Sequence, residues 1–445
     1  MMNASDRPLA ARTVLMASVA ILASASASAQ VAPQPQITPS IQTGMPATPA
    51  AVEADKPWAP PADFSEWRSG IKLSAQLDAG IVINPQAPRN STNFGQLFTD
   101  KANRPILNSL LLTAERAIDP KATDYDFGFK LQGLYGSDAR IVHSLGLFDH
   151  AIHDRNQIDV LEANVTAHTP WLFSGGIDFK AGIYPTPLGF EVIDPKANPF
   201  YSHSYIFNYG LPFKHFGILS TSHVTDVVDI YFGIDSGTNT TIGRGGDNNN
   251  RPAGIAGIGL NLLGGNLTIL ALTHIGPEDS LNNAPSFANS AERYFNDIVL
   301  TYKYTDALSF TTELNYVKEE GFRAEGYGAA QYASYNISDT VTLNGRAEVW
   351  RDNTNFFVNN PVGSLDYVLS QRGKPSNFYV SQRPTTYSEF TVGATWKPTG
   401  LPEQISTFMV RPELRYDRAL AGGSPFDDQR NRGSVTLAAD VVIGF

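Results

Sequence analysis

The chain has 445 residues, with 33 basic and 43 acidic side chains, a formal charge of −10 and no cysteine. An acidic balance argues against nucleic acid as a partner, because phosphate backbones attract basic surfaces. The lack of cysteine excludes disulfides, thiolate metal sites and a lipid-modified N-terminal cysteine, and after residue 29 no apolar run approaches the ~18 residues of a membrane-spanning helix.

Arg7 and Arg12 precede an apolar run over residues 13–23, which leads into the small residues of 25–29. This pattern predicts a secretory signal peptide at 1–29, cleaved before Gln30, and so an exported protein. Residues 30–64 are rich in Pro and Ala, with prolines at 33, 35, 39, 46, 49, 57, 60 and 61. Such a segment cannot bury a core and reads as a disordered periplasmic linker, a spacer rather than a wall-binding element.

Residues 65–445 are expected to form an outer-membrane β-barrel. In the first predicted strand Ile71, Leu73, Ala75, Leu77, Ala79, Ile81 and Ile83 alternate with Lys72, Ser74, Gln76, Asp78, Gly80 and Val82. A strand's side chains point alternately to its two faces, so one face here is apolar and the other mostly polar or small. Similar runs follow at 107–118, 125–135, 157–168, 176–184, 216–224, 227–235, 254–263, 266–275, 293–304, 307–318, 326–337, 341–351, 387–397, 406–418 and 434–445. The total is about sixteen, with fourteen and eighteen as the neighbouring even counts, in an all-β, antiparallel, up-and-down transmembrane barrel.

Short turns at 119–124, 169–175, 225–226, 264–265, 305–306 and 338–340, and a longer one at 398–405, alternate with long polar segments such as 236–252, 276–292 and 352–386. Strict alternation of this kind is expected of periplasmic turns and extracellular loops. Trp67, Tyr304, Trp396 and Phe445 take the lipid-facing parity at the periplasmic ends, where an aromatic ring suits the membrane–water interface, and Trp171 lies in a periplasmic turn. In the last run Val435, Leu437, Ala439, Val441, Ile443 and Phe445 share one face, which predicts the strand that closes the barrel.

The third outer loop, about 184–215, combines Pro185, Pro187, Pro195, Pro199 and Pro212 with Phe190, Phe200, Tyr201, Tyr205, Phe207, Tyr209 and Phe213. Prolines stiffen a loop and aromatics need a surface to bury against, so it is expected to fold into the lumen rather than over the mouth as a lid. There it would form a constriction carrying Glu191, Asp194, Lys196, His203 and Lys214. Wall charges of lumen parity are Arg346, Glu348, Glu389, Lys397, Arg411, Glu413, Arg415, Asp417 and Asp440. Two roles are open to them: exposure to the pore, where they would sort ions, or pairing in a structural network.

The stretches Tyr184-Pro-Thr-Pro-Leu-Gly-Phe-Glu191, Asn198-Pro-Phe-Tyr-Ser202 and Tyr205-Ile-Phe-Asn-Tyr-Gly-Leu-Pro212 resemble the OmpL-like β-barrel porins of Gram-negative bacteria. So do Tyr125-Asp-Phe-Gly-Phe129 and Leu134-Tyr-Gly-Ser-Asp-Ala139 upstream, whereas the second half is similar mainly in its strand pattern. The resemblance implies an outer-membrane porin and brings with it no established binding or catalytic residue.

The resulting expectation is a passive diffusion channel for small hydrophilic solutes and ions, weakly cation-preferring, without cofactor or catalysis. Its partners would be outer-membrane lipid, the permeating solutes, the barrel assembly machinery and two further copies in a homotrimer. Competing classes are a lipid-modifying barrel enzyme and a surface adhesin or structural barrel. His143, His150 and His153 share an outer loop, but without a converging carboxylate motif they read as solvated histidines; His203, His215 and His223 read as scattered. Residues 243–250 mimic a glycine-rich phosphate loop yet lack the following Lys-Ser/Thr and helix, and Asp247 to Asn250 lack the spaced ligand repeat of a calcium loop.

Overall fold

A computed structural model describes residues 64–445 apart from 120–123, 150, 152–153 and 244. The expected signal peptide, and the linker up to residue 63, lie outside the described residues. Where the linker was expected to lead directly into a strand, Phe64–Ser69 instead forms a helix of 6 residues. None of the described helices is long and apolar enough to cross a membrane.

Sixteen strands close into one antiparallel barrel. They are Lys72–Ile83, Pro105–Arg116, Asp126–Gly136, Gln157–Thr169, Ile177–Pro185, Lys214–His223, Val228–Asp235 and Ala253–Leu262. The second half comprises Leu267–Gly276, Arg293–Lys303, Leu308–Glu319, Ala324–Asn336, Val341–Asp352, Thr385–Trp396, Thr407–Ala421 and Gly433–Gly444. The last pairs back onto the first, from Gln76↔Gly444 to Ile83↔Leu437. Closure leaves no sheet edge, so the backbone groups of the wall are satisfied without water, as a hydrocarbon environment requires.

The alternation read from the sequence is the alternation of the wall. In Gly433–Gly444, Thr436, Ala438, Asp440 and Val442 are buried inside while Val435 and Leu437 stay 38% and 49% exposed outside. Leu73, Leu112, Leu131, Val165, Phe232, Leu314, Phe390 and Leu414 extend that exposed apolar belt around the barrel. A soluble protein would not leave such a belt to water; a bilayer covers it.

Tyr304, Trp396 and Phe445 are exposed at the short-turn end, as expected of an interfacial girdle. Trp67 differs, because it sits on the short helix and strand parity does not apply to it. Its indole Nε1 donates to the Phe127 carbonyl at 2.9 Å, and the Arg116 guanidinium lies 5.5 Å from its ring centroid. Strict alternation of short and long connections also needs correction: the outer connection between Leu308–Glu319 and Ala324–Asn336 is only residues 320–323. In the seventh outer loop the sequence signals no regular structure, yet Asn359–Pro361 pairs with Phe378–Val380 beside a helix at Asp366–Gln371.

A barrel of sixteen strands is too wide to be filled by its own wall side chains. Its interior core is therefore built largely by loops. Phe98 from the first outer loop packs against His203, Phe207 and Phe213 of the third at 5.0, 5.4 and 5.6 Å between ring centroids. Ile141 and Val142 from the second loop, Phe357 and Val358 from the seventh and Phe426 from the eighth join the same buried cluster.

Candidate functional site

A loop inside a barrel has no strand neighbour for its backbone, yet each buried N–H and C=O still needs a partner. Here the wall supplies charged ones. The third loop enters after Ile177–Pro185, carries a short turn at Pro195–Ala197 and a helical turn at Ile206–Gly210, and leaves into Lys214–His223.

Three arginines of the wall donate to its carbonyls. Arg346 Nη1 donates to Ser202 O at 2.8 Å; Arg411 Nη1 donates to Pro195 O at 2.7 Å and Asn198 O at 2.8 Å; Arg415 Nη1 donates to His203 O at 2.6 Å. Glutamates of the wall accept from its amides. Glu413 Oε2 accepts from Tyr201 N at 2.9 Å, Glu348 accepts from Tyr205 N at 2.7 Å and Ile206 N at 2.8 Å, and Glu313 accepts from Phe190 N at 3.0 Å.

The arginine charges are neutralised within the same network. Arg346 bridges Glu191 of the loop at 2.7 Å and Glu389 of the wall at 2.9 Å. Arg411 pairs with Asp440, and Arg415 with Asp417 at 2.8 Å. The rings of Phe200 and Tyr205 lie 5.1 and 5.5 Å from the guanidinium carbons of Arg346 and Arg415. Multiply bonded, paired and stacked guanidinium groups are the arrangement in which a buried charge is tolerated.

Of the two roles open to the wall charges, the geometry is that of the network. Arg346, Glu348, Glu389, Arg411, Glu413, Arg415 and Asp440 all point inward, but none is more than 6% exposed, and what most of them line is the third loop. Glu191 is locked among Arg346, His203 and Tyr332, whose hydroxyl donates to it at 3.0 Å. His203 is stacked on Phe207 with ring centroids 4.1 Å apart. Lys214 belongs to the strand rather than the loop; it is buried against Asp159 and donates to the Val160 carbonyl at 2.7 Å. Only Asp194 and Lys196, among the charges expected at a constriction, keep solvated side chains, 27% and 53% exposed and 3.3 Å apart. Gln76 of the wall donates to Asp194 at 2.8 Å.

Several members escaped the sequence reading. Glu313 has the same inward parity as the residues singled out, so the period-two rule applied to its strand finds it, as it finds Asp417 beside Arg415. Asn108, which accepts from the Tyr201 hydroxyl at 2.7 Å, gives no signal at all, because a lone amide on a strand has no characteristic spacing. Of the outer-loop histidines, His150 and His153 lie outside the described residues, while His143 is buried 2.8 Å from Asp149. Asp247 accepts from the amides of Asn249 and Asn250 at 2.9 and 2.7 Å, an Asx turn that occupies its carboxylate locally. Among the described residues one buried group has metal-ligand spacing: His215, Asp235 and His274.

The loop clamp carries a pH expectation. Burial opposes ionisation of Glu191, but the guanidinium of Arg346 and the His203 ring outweigh it and draw its carboxyl from the ordinary 4.5 down to about 2. A depressed carboxyl contributes stability above its unfolded pKa and loses it as pH falls through the folded one. Protease resistance of the third loop should therefore hold from neutral pH down to about 4.5 and be lost only toward 2. Limited proteolysis across that range checks this; a transition near neutrality would contradict it.

A sequence model of the family described as "Putative beta-barrel porin-2, OmpL-like" matches residues 70–445. The chain belongs to this family. It is an outer-membrane porin, a channel-forming barrel. Among solved structures it is similar to the outer membrane channel DcaP of Acinetobacter baumannii, at 11% identity over 84% of this chain and 97% of that one, with a TM-score of 0.51. Pseudomonas putida OprB matches at 13% identity over 86% of this chain and 96% of that one, TM-score 0.52. Salmonella typhi OmpF in complex with daunomycin matches at 8% identity over 84% and 97%, TM-score 0.51. At these identities the likeness is one of fold. No curated protein sequence matches the chain.

Proposed function

We propose that this porin is a passive diffusion channel for small hydrophilic solutes and ions, weakly cation-preferring, with no catalysis and no cofactor needed for conduction. The observation that carries this reading is the third loop held inside the barrel by three wall arginines and three wall glutamates. A loop fixed there narrows the lumen at constant geometry, which is what size-limited diffusion needs. Delivery by the barrel assembly machinery and homotrimerisation complete the proposal.

Selectivity depends on the local field at the narrowest solvated point rather than on net charge. Since Glu191 is enclosed in ion pairs, the cation preference is assigned to Asp194, tempered by its neighbour Lys196. Reconstituted in a planar bilayer under a salt gradient, the protein should give discrete conductance steps and a small cation-side reversal potential. Asp194→Asn should move that potential toward anions and Lys196→Gln should move it the other way. Absence of conductance would overturn the channel reading; conductance with neither shift would remove the loop turn as the selectivity point.

A further inference from the structure

Away from the loop clamp, three potential metal ligands converge at the outer end of the wall. His215 is the second residue of Lys214–His223, Asp235 the last of Val228–Asp235 and His274 near the end of Leu267–Gly276. Val228–Asp235 pairs with the first of these strands, and Ala253–Leu262 joins it to the third. All three side chains are 0% exposed. His215 Nδ1 lies 3.5 Å and His274 Nε2 3.1 Å from Asp235 Oδ1, and the two rings are 4.6 Å apart between centroids.

The three ligand atoms lie within 4.8 Å of one another, close to what a shared cation needs. Ligands about 2.0–2.2 Å from a tetrahedral centre stand roughly 3.3–3.6 Å from one another. The group also has unused bonding capacity, since His215 Nδ1 and Asp235 Oδ2 are buried without a hydrogen-bond partner. A buried polar atom left unpaired is destabilising, and a cation would satisfy both.

The far sides of the rings are furnished as well. His215 Nε2 is 3.1 Å from the Thr186 hydroxyl, and His274 Nδ1 faces Glu278 Oε1 at 3.7 Å, just beyond hydrogen-bond distance, the latter two atoms being buried without another partner. Glu278 is itself held by the Thr238 amide, which donates to Oε2 at 2.8 Å. A metal-binding imidazole commonly has a carboxylate or another polar group at its second nitrogen to fix ring orientation and tautomer.

We propose that His215, Asp235 and His274 bind a divalent transition-metal ion of the zinc class, with Glu278 and Thr186 as positioning residues. Two imidazoles and a carboxylate select zinc and its neighbours over magnesium or calcium, which prefer all-oxygen sites. The ion ties together the strand ends from which the third, fourth and fifth outer loops emerge, so it acts as a staple at the channel mouth. This assignment is independent of the conduction reading. Without metal, the same group is a histidine pair around a shared carboxylate, and metal content separates the two.

The test uses the full mature barrel without a histidine tag, folded in detergent and stripped with chelator. Titration with Zn2+ should give one tightly bound ion per chain, and Co2+ should give the visible absorption of a low-coordinate nitrogen–oxygen site. In His215→Ala/His274→Ala that ion should be lost, while Glu278→Gln should keep the stoichiometry and weaken affinity about 10–100-fold. Zinc should also raise the unfolding temperature of the natural protein, because an ion bound only by the folded state stabilises it. Failure of the natural protein to bind stoichiometric Zn2+, or equal binding by a folded double variant, would overturn the proposal. The natural protein's titration decides the matter even if the double variant does not fold.

Discussion

Arg346→Ala is expected to release the third loop from the wall and to raise single-channel conductance and current noise. The guanidinium makes contacts no neighbour can replace: Glu191 at 2.7 Å, Glu389 at 2.9 Å and the Ser202 carbonyl at 2.8 Å. Truncation leaves Glu389 buried without its guanidinium and Glu191 with only the His203 ring and the Tyr332 hydroxyl, and breaking a buried pair in this way costs about 3–5 kcal/mol. The barrel itself should persist, because its strand ladders do not pass through this side chain. Relief is available to the loop, which can lift Glu191 into water, so the lost energy should appear as loop mobility. Arg346→Lys keeps the charge but cannot span three acceptors in a fixed fork, and should fall between the two. Glu191→Gln added to Arg346→Ala should restore part of the loop's protection from protease, since it removes one stranded charge. A folded Arg346→Ala barrel with unchanged conductance and unchanged loop proteolysis would show that the network is not what holds the loop.

Deleting residues 434–445 is expected to abolish assembly in the outer membrane altogether. That segment makes up nearly all of the strand that pairs on one side from Gln76↔Gly444 to Ile83↔Leu437 and on the other from Thr407↔Gly444 to Arg418↔Gly433. Without it two strand edges face hydrocarbon, where each unsatisfied backbone group costs several kcal/mol. Asp440 is lost as well, leaving Arg411 buried without its partner. Removing Phe445 alone is milder. It takes away the backbone bonds with Ala75, at 2.8 and 3.3 Å, and one ring from the interfacial girdle. Outer-membrane yield should drop while export continues, since the expected export signal lies in residues 1–29. Heat-dependent gel migration of membrane fractions measures both variants; correct assembly of the longer deletion would refute this account of closure.

How much could be read in advance differs from element to element. The wall was legible almost throughout, down to which of Thr436 and Leu437 faces inward, because a strand between lipid and lumen imposes its pattern on every second residue. Arg411, Glu413 and Arg415 were legible as inward charges by the same rule. Their contacts with the third loop were not. Glu191 and Arg346 meet across 155 residues of chain, and no local spacing records that meeting. The short connection at 320–323, the helix before the first strand and the hairpin inside the seventh loop also passed unseen, since loop conformation depends on what the loop packs against.

His215, Asp235 and His274 make the same point for chemistry. Taken singly along the chain, His215 reads as a scattered histidine, and neither Asp235 nor His274 carries a motif that marks it as a ligand. Only the pairing of four consecutive strands brings the three within bonding reach of one ion. The sequence by itself determined the barrel, a strand count of about sixteen and the inward face of its clearly alternating strands, because hydrophobic periodicity is a local property that the bilayer enforces residue by residue. The tertiary structure alone decided that the inward charges clamp a loop instead of lining open water, because the partner of a buried charge is set by where distant segments meet.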